Sequence, residues 1–451
     1  MRRVAVVGGG ISGLAASYYL SRKGIPSTLF ERRARLGGLI RTDRLHGCLV
    51  EGGPDSWLAE KRWMAQFVDE LGLGTQIIGS NDRRRRTFVV RDGRLVPLPA
   101  SMRMLAPSRP WQVATTALLG PAARVRMALE WFHRPAKHED RSVADFVRDH
   151  FGTDAVEYIA QPMMAGVYGA PPERVSARHA VPRFVEYEAR YGSVLRGTFR
   201  NRHRKPDGPL FLTLRDGMGS LVGALERRLA GHCRIVRERV AELRRADDRW
   251  SILLDSGNFA ADIVILAVSA REASRLSGRV DRALADLLGG IDCRPSTVAA
   301  FTYPAEGFGH ALDGFGFLVP RAEGGAVAAC TWMNTKFAGR APDHSVLLRA
   351  FMAGRSAEWA AGASDGSVAR RADRELRRWM GFEGELTGSK VYRWEGAMPV
   401  YAVGHDRLMR SIDERLGAVP GLFLAGNGYS GLGIPDCVRR SRRIAEAVAG
   451  A

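Results

Sequence analysis

The sequence predicts a mixed α/β fold in which distant segments of the chain build one parallel sheet. Three observations predict it. A strand, a glycine-rich loop and a helix follow one another near the amino end, the same succession recurs near the carboxyl end, and a third such fragment lies in the middle. The chain has 451 residues, 45% of them hydrophobic, which is enough for two or three domains with cores of their own.

The amino-terminal unit has the pattern of a dinucleotide-binding site. The apolar run Arg3–Val7 predicts a buried parallel strand, and it leads into the loop Gly8–Gly13. Glycines in such a loop permit a tight turn, close approach of a pyrophosphate and close packing of the next helix, whose N-terminus favours anions. A second apolar run, Pro26–Phe30, ends at Glu31. A carboxylate there can bind a ribose 2′-hydroxyl and disfavours NADP.

The segment that follows Glu31 favours FAD over NAD as the predicted ligand. Arg35–Thr42 carries two adjacent glycines between arginines, and it resembles the paired-glycine motif of FAD-dependent amine oxidases. Glycines let this loop run close to a cofactor, and arginines supply cationic donors. The turn Glu51–Ser56 comes soon after and is expected to face the flavin.

The carboxyl end repeats the succession of the amino end. Gly421–Leu424 predicts a short strand, Ala425–Cys437 a glycine-rich loop and Val438–Val448 a helix. Two such units at opposite ends imply a discontinuous domain that holds one long dinucleotide. The fragment Gly217–Val268 is expected to add further strands to the same sheet.

Segments along nearly the whole chain resemble the protoporphyrinogen/coproporphyrinogen oxidase family of haem biosynthesis. They are GGGISGLAASYYLSRKG, ERRARLGGLIRT, EGGPDSWL, GVYGAPPERVSARHAVPRF, LRDGMGSLVGAL, GFGFLVP, TKFAGRAP, RWEGAMPVYAVGH and AGNGYSGLGIPDC. The first two are shared with amine oxidases generally, whereas GVYGAPPERVS and the last four are more specific to the porphyrinogen group.

The resemblance implies a two-dinucleotide-binding-type FAD domain formed by residues 1–85, 206–285 and 388–451. It also implies a mixed-sheet substrate-binding domain at 286–387 and a helical domain at 86–205, which in relatives is associated with membrane attachment.

Two interpretations of the helical region stay open. The basic run Arg83–Arg86 and the apolar residues after it could rest on an anionic membrane surface, or they could be a solvated charge run over an ordinary helical core. The apolar residues are Met102, Met104, Leu105, Trp111, Val113, Leu118, Leu119, Val125, Met127, Leu129, Trp131 and Phe132.

The resemblance further implies which residues bind FAD. Val240 is expected to meet the adenine through its backbone, Trp394 to lie near the isoalloxazine, and Leu432–Ile434 to close over its pyrimidine end. The full set is Gly8, Gly9, Gly10, Ile11, Ser12, Gly13, Glu31, Arg32, Gly38, Leu39, Gly53, Pro54, Asp55, Ser56, Val240, Trp394, Gly426, Leu432, Gly433 and Ile434.

For the substrate, Gly166 matches a family position whose backbone faces the pyrrole system, and Leu318 is expected to supply an apolar wall together with strands in 331–352. In many relatives a basic residue beside an aromatic pairs with a propionate. The matching position here is Thr87, so that Arg86 would have to take this part with a shift of one residue.

The family chemistry removes six electrons and six protons from a porphyrinogen in three flavin cycles, with O₂ as acceptor and hydrogen peroxide as product. Because the flavin carries this chemistry, no residue is assigned a catalytic part. His405 is interpreted as a structural hydrogen-bonding residue rather than a base. Five dispersed cysteines without a CxxC pair predict no metal site and a reducing compartment.

The remaining predictions concern partners. A net charge of +19 would attract anions, but no zinc-finger or RNP-like motif accompanies it, so nucleic acid is not expected. The chain enters its first strand at once, so no targeting peptide is expected, and a cytoplasmic location follows, with peripheral membrane contact left open. Monomer and homodimer stay open, as do protoporphyrinogen IX and coproporphyrinogen III. The alternatives are another amine-oxidase-class FAD oxidase and a non-catalytic flavin- or porphyrin-binding protein.

Overall fold

A five-stranded parallel sheet joins the two ends of the chain. The computed structural model describes residues 2–107, 116–134, 140–201, 208–246 and 249–450. The strand order of this central sheet is Cys233–Val236, Ser27–Phe30, Val4–Val7, Ile263–Leu266 and Leu422–Leu424. The three inner strands are short and fully buried, as expected of strands covered on both faces, whereas Cys233–Val236 at one edge is partly exposed. The mixed α/β fold with a discontinuous sheet is therefore confirmed.

Helices from three distant segments cover one face of the central sheet. They are Ile11–Ser21, Gly219–Leu229 and Ile434–Gly450, and their apolar side chains share one hydrophobic core with the sheet. The hydroxyl of Ser441 donates a hydrogen bond to the backbone oxygen of Ser12 at 2.8 Å, which joins the first and last helices. The last helix begins four residues earlier than predicted.

The other face of the central sheet is covered by a second core. It contains a three-stranded antiparallel sheet and three helices. The strands are Val240–Ala246, Arg249–Leu254 and Gly257–Ala261, and the helices are Ala270–Ser277, Arg282–Gly289 and His405–Gly417.

A seven-stranded mixed sheet lies beside this unit. Its order is Gly388–Pro399, Cys293–Pro304, Ser345–Met352, Ala329–Trp332, Gly316–Leu318, Thr87–Arg91 and Arg94–Pro97. Helices Arg355–Gly362 and Asp365–Met380 pack on it. The first strand and the last two come from outside 286–387, the range predicted for the substrate domain. The division into three domains stays a prediction.

Short elements connect these units. They are the antiparallel strands Trp57–Leu58, Phe211–Leu214 and Ile77–Gly79, the pairs Thr42–Leu45 with Cys48–Glu51 and Met102–Arg103 with Ala106–Pro107, and the helices Arg62–Glu70 and Met333–Lys336.

Helices dominate the region between residues 116 and 201. They are Pro121–Leu129, Val143–Phe151, Thr153–Ala155, Gln161–Tyr168, Ala177–Ala180, Pro182–Tyr191 and Val194–Arg200, with a π-helical turn at Val156–Ala160. Leu105, Leu118, Leu119 and Met127 are buried in the core of this region. Trp111 and Val113 lie outside the described residues. No helix in the described part is long and apolar enough to cross a membrane.

A buried ionic network lies in the core of the helical region. The carboxylate of Glu130 accepts hydrogen bonds from Nδ1 of His150 at 2.7 Å and from the hydroxyl of Ser193 at 2.7 Å. It also accepts from the amides of Val194 and Leu195, at 2.7 and 2.9 Å, at the start of a helix. The side chains of Glu130 and His150 are fully buried. Glu130 therefore ties three helical segments together.

The same network continues to the molecular surface. His150 Nε2 lies 3.1 Å from Glu188, and Arg141 pairs with both Glu188 and Asp149. Ligand atoms of these acids, of His150 and of His133 lie within 4.8 Å of one another, a spacing that a metal ion would accept. The guanidinium of Arg141 already supplies positive charge among the carboxylates.

The network predicts a pH-dependent stability. Burial lowers the pKa of His150, but its hydrogen bonds to Glu130 and Glu188 outweigh burial and raise the pKa above the usual value. Its stabilising effect is therefore complete below the unfolded pKa of about 6.5 and is lost as the pH rises through the folded pKa. We expect urea titrations of the wild type to show this loss of unfolding free energy as the pH rises. The loss should be absent in His150→Gln and retained in His232→Gln, a control at an exposed histidine. Equal pH profiles for wild type and His150→Gln would contradict the prediction.

Candidate cofactor and substrate site

The loop Gly8–Gly13 has the close packing that a dinucleotide-binding loop requires. Gly8 has a φ of 107°, a region that favours glycine, and its amide donates to the oxygen of Phe30 at 2.8 Å. A methyl group on Gly13 would overlap the backbone oxygen of Gly8, and one on Gly8 would overlap Ala267. Strand, loop and helix can therefore meet this closely only with glycine at both positions.

The helix Ile11–Ser21 presents an uncapped N-terminus at this loop. Within the described residues, no side chain caps its first turn. Its amides and the positive end of its dipole are thus available to an anion. This feature fits the pyrophosphate of FAD.

Glu31 lies against the glycine loop. One carboxylate oxygen accepts from the amide of Gly9 at 2.7 Å, and the other from the amide of Arg33 at 2.9 Å. Its place at the end of a central strand is that predicted for a ribose-binding acid. Arg32 is exposed, and Val240 is buried in one core with Phe30. The backbone oxygen of Val240 accepts from Arg275 at 3.0 Å.

The paired-glycine loop is held by its own arginine. Arg35 Nη2 donates to the oxygen of Gly38 at 2.7 Å, and Arg35 Nη1 donates to the oxygen of Ile40 at 3.1 Å. The guanidinium lies 5.6 Å from the ring centre of Trp394. The predicted cofactor loop and the predicted aromatic neighbour of the isoalloxazine are thus in one place, although 359 positions separate them.

The turn Gly52–Ser56 lies against both the paired-glycine loop and Trp394. A methyl group on Gly53 would overlap the backbone oxygen of Leu39. The indole nitrogen of Trp394 donates to the oxygen of Gly52 at 2.7 Å. Gly53, Pro54 and Ser56 are partly exposed between buried neighbours, whereas the side chain of Asp55 is only 13% exposed. Three separately predicted segments therefore form one surface.

The carboxyl-terminal loop is connected to the same surface by Tyr401. The Tyr401 hydroxyl donates to the oxygen of Asn427 at 2.7 Å and accepts from the amide of Gly431 at 2.7 Å. The Asn427 amide donates to the oxygen of Ala397 at 3.0 Å. Of the predicted residues here, Gly426, Leu432 and Gly433 are half-exposed and Ile434 is buried.

His405 lies behind this loop. Its ring stacks on Tyr401 with centroids 4.1 Å apart, and Nε2 is 3.4 Å from the oxygen of Tyr429. Burial and the neighbouring His179 lower the pKa of His405 to about 4. The imidazole is therefore neutral near pH 7 and is packed as a structural side chain.

The two predicted apolar substrate residues lie together. A methyl group on Gly166 would lie 3.2 Å from Cδ2 of Leu318 and 3.6 Å from Cβ of Ala329. Gly169, at the end of the same helix, lies beside Met398 of the strand that carries Trp394. Helix Gln161–Tyr168 is thus packed on the seven-stranded sheet next to the proposed flavin surface.

Arg86, the residue predicted to pair with a propionate, already has an acidic partner. Arg86 is 66% exposed in its side chain and pairs with Asp313 at 2.6 Å. Thr87 begins the strand Thr87–Arg91, which pairs in parallel with Gly316–Leu318 on one side and with Arg94–Pro97 on the other. Asp313 thereby largely balances the charge of Arg86.

Sequence reasoning missed three buried cations near Asp55: Lys336, Arg340 and Arg349. Two of them lie in the segment TKFAGRAP, which carried part of the resemblance without any assigned part in the site. A lysine and an arginine in an otherwise apolar segment of a predicted sheet domain were the available signal.

Comparison with known proteins identifies the family. The model of the flavin containing amine oxidoreductase family matches residues 11–449. Coproporphyrinogen III oxidase of Bacillus subtilis (strain 168) is 29% identical, over 98% of this chain and 96% of the relative. The enzyme of that name from Propionibacterium freudenreichii is 31% identical over 99% and 90%. Mitochondrial protoporphyrinogen oxidase of Nicotiana tabacum is 28% identical over 99% and 94%.

Solved structures agree. A crystal structure described as a protoporphyrinogen oxidase of Exiguobacterium sp. 255-15 has a TM-score of 0.90, with 28% identity over 99% of this chain and 98% of that one. A putrescine oxidase variant at 17% identity and a TM-score of 0.72 shares the fold. The predicted family resemblance, the oxidoreductase class and the cofactor FAD are confirmed. The chain belongs to the flavin-containing amine oxidoreductase family.

Proposed function

We propose that this protein oxidises a porphyrinogen to the porphyrin in haem biosynthesis, with FAD as cofactor and O₂ as electron acceptor. The observation that carries the proposal is full-length similarity to coproporphyrinogen III and protoporphyrinogen oxidases, with Gly166 and Leu318 packed together beside the surface formed by Trp394 and Gly53–Ser56. Bound FAD would supply two-electron oxidation, and six electrons separate a porphyrinogen from its porphyrin.

In this proposal the residues of the chain bind and orient the cofactor and the substrate. The loop Gly8–Gly13 and its helix would hold the pyrophosphate, and Glu31 the ribose. The backbone of Gly166 would face the flat macrocycle, and Leu318, which packs against Gly166, would give the macrocycle an apolar wall that excludes water. His405 supplies no proton transfer in this scheme, because it is neutral and stacked on Tyr401.

An aerobic fluorescence assay tests the proposal. Protoporphyrinogen IX and coproporphyrinogen III are supplied in parallel, and porphyrin emission and hydrogen peroxide are followed. We expect porphyrin formation that depends on FAD. Peroxide formed with amines but no porphyrin would identify another amine-oxidase-class enzyme, and flavin bound without turnover of either porphyrinogen would identify a binding protein.

A large side chain at Gly166 should weaken substrate binding, because it would displace Leu318 from the proposed apolar wall. A leucine there would press on Leu318 and Ala329, whose contacts with a methyl group are already close. We expect Gly166→Leu to raise KM for the preferred porphyrinogen by about tenfold or more, which corresponds to about 1.4 kcal/mol. Gly362→Leu, at a helix end with free space around it, is the control. Equal KM values would contradict the assignment of Gly166.

The location of the protein is also a proposal: the cytoplasm, with peripheral contact to the cytoplasmic membrane. Val125, Leu129 and Phe132 recur at helical spacing and are 61, 57 and 75% exposed, beside exposed Arg126 and Arg134. Such a stripe fits an anionic bilayer surface. Sedimentation with anionic vesicles should be lost in Leu129→Ser/Phe132→Ser. Unchanged sedimentation would remove the support for membrane contact.

A further inference from the structure

Three cationic side chains are buried near the turn Gly52–Ser56. Arg340 and Arg349 are each 1% exposed, and the side chain of Lys336 is 11% exposed. Burial of a cation costs free energy unless the charge is well paired. We therefore asked which carboxylates balance the charges of these three cations.

Two of the cations share one carboxylate oxygen. Oδ2 of Asp55 is 2.9 Å from Nζ of Lys336 and 3.0 Å from Nη1 of Arg349. Arg349 Nη2 also donates to the oxygen of Gly53 at 2.6 Å. Burial acts to raise the pKa of Asp55, but the attraction of both cations outweighs it and holds the pKa below its usual value. Asp55 is thus ionised and carries two cations.

The third cation does not restore the balance. Arg340 donates to neutral oxygens, including the hydroxyl of Thr213 at 2.8 Å. The buried carboxyl Glu51 accepts from the amide of Met218 at 2.7 Å and the hydroxyl of Thr42 at 2.8 Å. Burial raises the pKa of Glu51 to about 7. Three buried cations thus face two buried carboxylates, one of them only partly ionised. The exposed Asp216 also attracts Arg340, but solvent screens its charge, so the buried cluster keeps an excess of positive charge.

We propose that Lys336 and Arg349 are positioning residues that hold the turn Gly52–Ser56 and keep excess positive charge beside the flavin, which raises its reduction potential. The inference rests on the proposed cofactor site, because the turn is the part of that site that the two cations bind. The isoalloxazine gains negative charge when it accepts electrons, and a nearby buried cation stabilises that charge. Asp55, as a residue of the turn, binds both cations and partly offsets their positive charge.

Anaerobic redox titration of the purified holoproteins, followed by flavin absorbance, tests this. Lys336→Met removes a positive charge and should shift the midpoint potential to lower values, whereas Asp55→Asn removes a negative charge and should shift it to higher values. Lys336→Arg should keep the wild-type potential. A merely structural part in holding the turn would move both charge variants in the same direction.

The control is Lys390→Met, which removes a lysine paired with Asp43 at 3.0 Å on the seven-stranded sheet and should leave the potential unchanged. Equal potentials in wild type and Lys336→Met, or shifts of the same sign in Lys336→Met and Asp55→Asn, would overturn the proposal. If Asp55→Asn does not fold, the comparison of Lys336→Met with Lys336→Arg decides. The titration needs no porphyrinogen, so a wrong substrate leaves it intact, whereas a wild-type protein that binds no flavin contradicts the proposed function itself.

Discussion

Gly13→Ala should deprive the protein of tightly bound FAD. The added methyl group would overlap the backbone oxygen of Gly8, and it would also lie 3.3 Å from Cβ of Ala267. The first helix must then move away from the strand that leads into it. Overpacking of this kind costs about 1–3 kcal/mol. The displaced helix N-terminus would lose alignment with the pyrophosphate, so we expect FAD affinity to fall by about 10- to 100-fold.

The measurement is titration of apoprotein with FAD, followed by flavin fluorescence, with far-ultraviolet circular dichroism as a check of folding. Gly417→Ala is the matched control, because a methyl group at that helical position meets no atom within 4 Å. A Gly13→Ala protein that binds FAD as tightly as wild type would refute the assignment of this loop.

Glu130→Ala should strongly destabilise the protein. The change leaves the buried His150, the hydroxyl of Ser193 and the amides of Val194 and Leu195 without their acceptor. Breaking a buried ion pair on one side costs about 3–5 kcal/mol, since the remaining partner stays uncompensated. We expect a loss of this size in the free energy of unfolding, measured by urea titration.

The control removes an exposed carboxylate instead of a buried one. Glu60 pairs with Arg183 at the surface, where both side chains are about half exposed or more. Glu60→Ala should cost less than about 1 kcal/mol, because exposed ion pairs contribute little. Similar losses in the two variants would show that the buried network does not stabilise the helical region.

The parts of the site that local patterns could predict are those where the backbone itself is expected to meet the cofactor. Loops such as Gly8–Gly13 and Arg35–Thr42 need glycine for steric reasons, and strand, loop and helix leave a readable succession in the sequence. Glu31 has a fixed place at the end of a strand. The structure brings these segments together with Trp394 and the carboxyl-terminal loop, while their individual contacts with FAD stay predictions.

The parts that local patterns missed depend on contacts between distant residues. Arg349 pairs with Asp55 although 294 positions separate them, and no local sequence pattern at either residue predicts the pair. The same holds for Glu130 and the start of the helix at Val194. The strand Gly388–Pro399 pairs with Cys293–Pro304, which is distant in the sequence, because the choice of strand partner is decided by tertiary packing.

The central strand Val4–Val7 has neighbours that are synthesised long after it. One flanking strand comes from Ile263–Leu266, and the strand beyond it from Leu422–Leu424. At translation rates of about 5–20 residues per second, the amino-terminal strand waits roughly 20–80 seconds before the last strand leaves the ribosome. During this interval an apolar edge is open to wrong pairing. Production of the protein in the cell should therefore depend on chaperones that shield nascent chains.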